Sequence, residues 1–192
     1  MRKIPVLAAA AAALAIIAAP SMAFATSGGP TYTANASNVA FSVNGQNMTC
    51  SNTTVTGNVY TGVNPAADIA SSSWGGCSYS GQSVTVTQGG TWNLVADSGY
   101  TSGTDAAVAG HISNISAHVS TLGGICQFDV TGTAQGTFDE SGQVLHVNET
   151  ASHGGLTVSG VSIGCFGLIS NKQKASFSAD FAVSAATPIN VF

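Results

Sequence analysis

Phe177-Ser178-Ala179-Asp180-Phe181-Ala182-Val183 sets an apolar side chain at every second position, the period of a strand with one face buried and one wet. Upstream, Ser83-Val84-Thr85-Val86-Thr87, Val144-Leu145-His146-Val147 and Thr157-Val158-Ser159-Gly160-Val161-Ser162-Ile163 hold or approach the same alternation, and Val39 to Val43 and Thr53 to Tyr60 look similar. Val, Thr and Ile dominate these runs, as pleated surfaces prefer. Between them lie the turn signals Asn44-Gly45, Gly75-Gly76, Ser80-Gly81, Gly89-Gly90, Gly123-Gly124, Ser141-Gly142 and Gly154-Gly155. Modest strands between such turns predict an all-β protein, an antiparallel sandwich or barrel-like domain.

One segment reads both ways. Ile112, Ile115, Val119 and Leu122 have helical spacing, whereas Ser113, Ile115, Ala117 and Val119 share one face of a strand. The hydroxyl-rich filling competes with helical backbone bonds and decides for strand. Residues 61–73 and 98–107, rich in Gly, Ala, Ser, Asp and Asn, read as loops.

The first residues set the compartment. Arg2 and Lys3, the apolar run Ile4 to Ala19 and the small-residue site Ala23-Phe24-Ala25 form a secretory signal over residues 1–25, leaving residues 26–192 as a single β-rich domain. Once the signal is removed no integral membrane anchor is expected, and the protein is secreted or held at the cell surface. The remaining chain keeps Lys172 and Lys174 as its only cations, against all 8 acidic side chains. Nucleic-acid binding is thereby excluded as an expectation, because counterion release requires clustered cations. Only 6% of the chain is charged, so hydroxyls and amides carry its solubility, and little repulsion opposes self-association.

Cys50, Cys77, Cys126 and Cys165 lie in the exported part, where thiols oxidise and two disulfides are expected. None forms the C-x-x-C knuckle of a zinc site. Of three formal connectivities, Cys50 with Cys77 and Cys126 with Cys165 is favoured by a repeated setting. Val55-Thr56-Gly57 follows Cys50 as Val130-Thr131-Gly132 follows Cys126, and both closing cysteines follow glycine. The repetition suggests two related halves meeting near residues 98–110.

No catalytic, cofactor or metal constellation emerges. Gly160-Val161-Ser162-Ile163-Gly164 matches the nucleophile-elbow spacing, but that elbow needs a strand-to-helix turn and no helical pattern follows. His111, His118, His146 and His153 form no paired-ligand motif; His111 and His118, seven apart along a strand, are expected on opposite faces. Asp139-Glu140-Ser141-Gly142 reads as a hairpin turn rather than a carboxylate site with Glu149. Asn35, Asn47, Asn52, Asn114 and Asn148 open N-x-S/T sequons, which a chain this rich in Asn, Ser and Thr produces by composition.

Met48-Thr49-Cys50, the tryptophan-bearing glycine-rich run into Gly76-Cys77, Gly110-His111-Ile112 and Val158 to Ile169 resemble small exported actinobacterial proteins, mostly of unknown function. In these a VSGC-x-GLI block precedes a last strand; here Val161-Ser162-Ile163 is inserted before Gly164-Cys165. Over residues 30–190 the chain is also similar to secreted pseudomonad activators of alkane oxidation. That resemblance implies action outside the cell, on surfaces or hydrocarbon droplets, and transfers no catalytic residues.

The expected function is therefore a non-enzymatic secreted or cell-surface structural or interaction protein of the envelope or extracellular matrix, with self-association or envelope contacts as its partnerships. The alternative is a binding module for a small apolar or carbohydrate ligand, lined by Trp74, Tyr79, Trp92 and Tyr100. An outer-membrane barrel fits less well, since its strands need about 9 to 11 residues.

Overall fold

A computed structural model describes residues 29–97 and 107–191. Residues 1–25, Tyr100 and most of the expected seam lie outside them; residues 107–110, at the seam's far end, open a strand.

Three long strands frame the molecule: β10 (Ala107–Thr121), β11 (Cys126–Asp139) and β14 (Lys174–Ala185). In β14, Phe177, Ala179, Phe181 and Val183 face inward while Ser178, Asp180 and Ser184 face outward, as the alternation requires. β14 pairs on one side with β12 (Val144–Glu149) and β13 (Leu156–Ser159), both of which also pair with β11.

The other half of the wall is split along the length of these strands. At one end, pairings run from β14 through β2 (Val39–Val43), β3 (Gln46–Cys50), β7 (Ser78–Tyr79) and β8 (Gln82–Gln88) to β10. At the other, they run through β1 (Thr31–Ala36), β4 (Asn52–Asn58), the Val59·Ala67 bridge, β5 (Ala67–Ile69) and β9 (Trp92–Ala96), again to β10. Both circuits are antiparallel and both close, so the sheet is barrel-like, and closure leaves few of the unpaired edges that invite aggregation. β6 (Ser71–Gly75) pairs with β4 and lies beside β8.

Two expectations need correction. Residues 61–73 are not all loop: β5 and the start of β6 lie there, held by partners on β4 and β9 rather than by their own weak alternation. The ambiguous segment is strand, but its register slips between Ile112 and Ile115.

 The φ of Asn114 is 56°, and the extra residue there is a β-bulge. It brings Ile112 and Ile115 to the same buried side, which is why their spacing imitated a helix. It also resets the alternation, so His111 and His118 both lie on the outer face rather than on opposite faces. Both disulfides have the favoured connectivity, Cys50–Cys77 and Cys126–Cys165. Among the described residues no helix is long and apolar enough to cross a membrane, which bears on helical spans alone.

Candidate functional site

Where β10 passes into β11, a tight 3-10 turn at Leu122–Gly124 delivers Ile125 and Cys126. Facing it, a second 3-10 turn at Ile163–Cys165 ends on Phe166, and the disulfide joins the two turns. Ser162 Oγ donates to the Ile125 carbonyl (3.0 Å) and accepts the Gln127 amide (2.9 Å), while the Ser162 amide donates to the Gln127 carbonyl (2.9 Å). The backbones meet so closely at Gly164 that a Cβ there would collide with the Ile125 carbonyl.

This knuckle turns its apolar side chains outward. Ile163 is 98% exposed, Phe166 75%, Ile125 59% and Leu168 46%. Neither Leu122–Gln127 nor Gly160–Asn171 contains a charged residue. Phe166 adopts a left-handed φ of 51°, a conformation that costs a bulky residue about 1–3 kcal/mol and persists where its surroundings impose it. Leu168 is anchored through its carbonyl, which accepts from Asn44 Nδ2 at 3.1 Å. Single exposed apolar side chains are ordinary, but a contiguous group marks a contact surface.

Of the side chains expected to line a ligand, Trp74 and Trp92 share one cavity and Tyr79 lies apart from it. Trp92 is buried and Trp74 half-buried; both border an internal apolar cavity of about 70 Å³. Trp74 sits edge-on to Phe177, ring centroids 6.2 Å apart. Tyr79 stands instead at the base of the knuckle, near Cys165, Leu168 and Ile169, its hydroxyl bonded to Gln46. Tyr100 is outside the described residues.

The polar groups weighed from sequence are engaged locally. Ser162 lies in the knuckle and spends its hydroxyl on the two bonds above. His111, His118 and His146 each pair through Nδ1 with an aspartate, Asp97 (3.2 Å), Asp129 (2.8 Å) and Asp180 (2.7 Å). Asp139 closes the β11–β12 hairpin; the Gly142 amide, then the Ser141 hydroxyl and amide, hold its carboxyl below the ordinary aspartate value. Glu149 is buried and apart from that turn, its two oxygens accepting the amides of Gly155 (2.9 Å) and Gln135 (3.1 Å).

Sequence reasoning passed over Ile125, Ile163, Phe166 and Leu168 as a group. The signal is partial: Ile125, Phe166 and Leu168 lie between glycines and cysteines in stretches without strand alternation or charge, whereas Ile163 closes the alternating run from Thr157, of which only Leu156–Ser159 is strand. No curated protein and no solved structure matches the chain. The family described as alkane oxidation protein activator PraA/PraB-like matches residues 1–181. The chain, with this outward-facing apolar knuckle, therefore belongs to the PraA/PraB-like family of alkane oxidation protein activators.

Proposed function

We propose that this is an exported, non-enzymatic protein that works by contact with an apolar phase, hydrocarbon above all, through the knuckle of Ile125, Ile163, Phe166 and Leu168. The observation that carries the reading is the exposure of these four side chains on a backbone pinned by Cys126–Cys165. A rigid surface loses little conformational entropy on adsorption, and transfer of apolar area from water supplies about 25 cal/mol per Å².

Four further features support it. The family's description names an activator rather than a catalyst. Two disulfides suit an oxidising compartment, and residues 1–25 read as an export signal. The low charge leaves the contact apolar rather than electrostatic.

Flotation with decane droplets tests this. The wild-type chain is expected to rise with the droplets at low and high salt, and the Ile163→Ser/Phe166→Ser double variant to stay in the aqueous layer. Equal flotation of both proteins, or adsorption abolished by salt, would refute the proposal.

A further inference from the structure

The interior of the barrel is incompletely filled. At the β1–β4–β9 end lies a cavity of about 80 Å³, and beyond Ile112 the cavity of about 70 Å³ beside Trp92. Ile112, set at the bulge of β10, borders both. Close-packed interiors hold few voids larger than a water molecule, and a dry apolar cavity of about 150 Å³ is known to take up benzene or xenon. Among the residues bordering the outer cavity, Tyr32 has its hydroxyl occupied by the Asp68 carbonyl (2.7 Å) and His111 turns its ring outward to Asp97 (3.2 Å); the rest of the wall is apolar, much of it alanine and glycine.

Apolar side chains of the segment 188–191 border that same cavity. Ile189 and Val191 line it, although the segment belongs to no strand. The segment is tied by side chains of the β11–β12 hairpin: Gln143 Oε1 accepts the Ile189 amide (2.7 Å), Gln143 Nε2 donates to the Ile189 carbonyl (3.0 Å), and Glu140 Oε1 accepts the Val191 amide (2.7 Å). It is a strap whose apolar side chains occupy space that another apolar chain would fill.

The charges nearby choose among such chains. Glu140 accepts a bond from the strap, Asp139 is in the same hairpin turn and Asp97 follows Ala96 of the cavity wall, while neither Lys172 nor Lys174 lines the cavity. An anionic headgroup at this mouth meets like charge, so an uncharged chain is favoured over a fatty-acid anion.

We infer that the barrel interior is a binding site for an unbranched, uncharged alkyl chain, which displaces Ile189 and Val191 and runs past Ile112 toward Trp92. The inference goes beyond the surface contact proposed above and is tested separately from it. While the strap is closed, apparent affinity is reduced by the fraction of molecules that are open.

The full chain is titrated with n-hexane and, in parallel, with hexanoate, reading tryptophan emission and melting temperature. Hexane is expected to give a saturable rise in melting temperature and a change in emission, and hexanoate neither. Ala34→Leu, which adds carbons to the outer cavity, is expected to weaken hexane binding on the order of tenfold. Gln143→Ala, outside the cavity, releases the strap and is expected to tighten binding, and it remains informative if Ala34→Leu fails to fold. Ile163→Ser/Phe166→Ser is expected to bind hexane as the wild type does, whatever the flotation result. Absence of a saturable hexane effect in both the wild type and Gln143→Ala overturns the site. So do undiminished binding by a folded Ala34→Leu variant and hexanoate binding equal to that of hexane.

Discussion

The two ends of β10 and β11 treat apolar side chains in opposite ways. At the Thr121–Cys126 end, Ile163 and Phe166 project into solvent from a backbone closed by a disulfide. At the Ala107–Asp139 end, Ile189 and Val191 turn inward over a cavity, on a strap held by hydrogen bonds to Gln143 and Glu140. A covalent closure leaves its side chains free of any duty to hold the fold, so they can face outward. A closure made of hydrogen bonds and burial needs its side chains inside. The first geometry suits a fixed contact surface and the second a displaceable one.

The largest expected effect separates the two bridges. By the chain-entropy model, sequence separations of 39 for Cys126–Cys165 and 27 for Cys50–Cys77 give about 3.5–4 kcal/mol each. Paired Cys→Ser variants should therefore lose similar stability in urea melts. Only the Cys126/Cys165 variant should also lose adsorption to decane when both are assayed under folded conditions; equal loss in both would dissolve the contrast between the bridges.

At the opposite end, Gln143→Ala removes both bonds to Ile189 and should cost about 1–2 kcal/mol. Amide exchange at Ile189 and Val191 should accelerate while β10 stays protected. If the whole barrel loosens together, the strap is no separate unit.

Smaller still is the effect of Ile163→Ser with Phe166→Ser on stability. These side chains are exposed, so the melting free energy should move by no more than about 0.5 kcal/mol. A larger loss would make the knuckle a part of the core.

The smallest effect is in the hairpin that carries the strap. Because the native turn holds Asp139 below its ordinary value, its contribution is fully present above the unfolded value of about 4 and is lost as pH falls through the depressed native value. Asp139→Asn should lower the melting temperature at neutral pH, and the gap to the wild type should close on acidification. A gap independent of pH would assign the turn's stability to something other than the carboxylate.

Strand content and disulfide pairing were readable because both leave periodic or repeated marks, as in Phe177 to Val183 and around the four cysteines. The Asp139–Gly142 turn was equally plain. Side-chain direction at Ile112, His111 and His118 was not, because one bulge at Asn114 reverses parity and nothing in an isolated strand announces it. β5 and β6 escaped notice because their partners are distant in sequence. The knuckle was hidden for a different reason: Ile163 and Phe166 look like core side chains in any local reading, and only the disulfide and the tight approach at Gly164 turn them outward. Trp74 and Trp92 meet at one cavity through a closure of the sheet that no local pattern encodes.

The knuckle as the surface that meets hydrocarbon is open to a direct spectroscopic trial. Phe166→Trp and, at an exposed apolar position away from it, Val63→Trp are each mixed with decane droplets, and the emission of the wild-type protein, from Trp74 and Trp92, is subtracted. A blue shift confined to the tryptophan at position 166 is expected. No shift there, or an equal shift at position 63, would contradict a defined contact through Ile125, Ile163, Phe166 and Leu168.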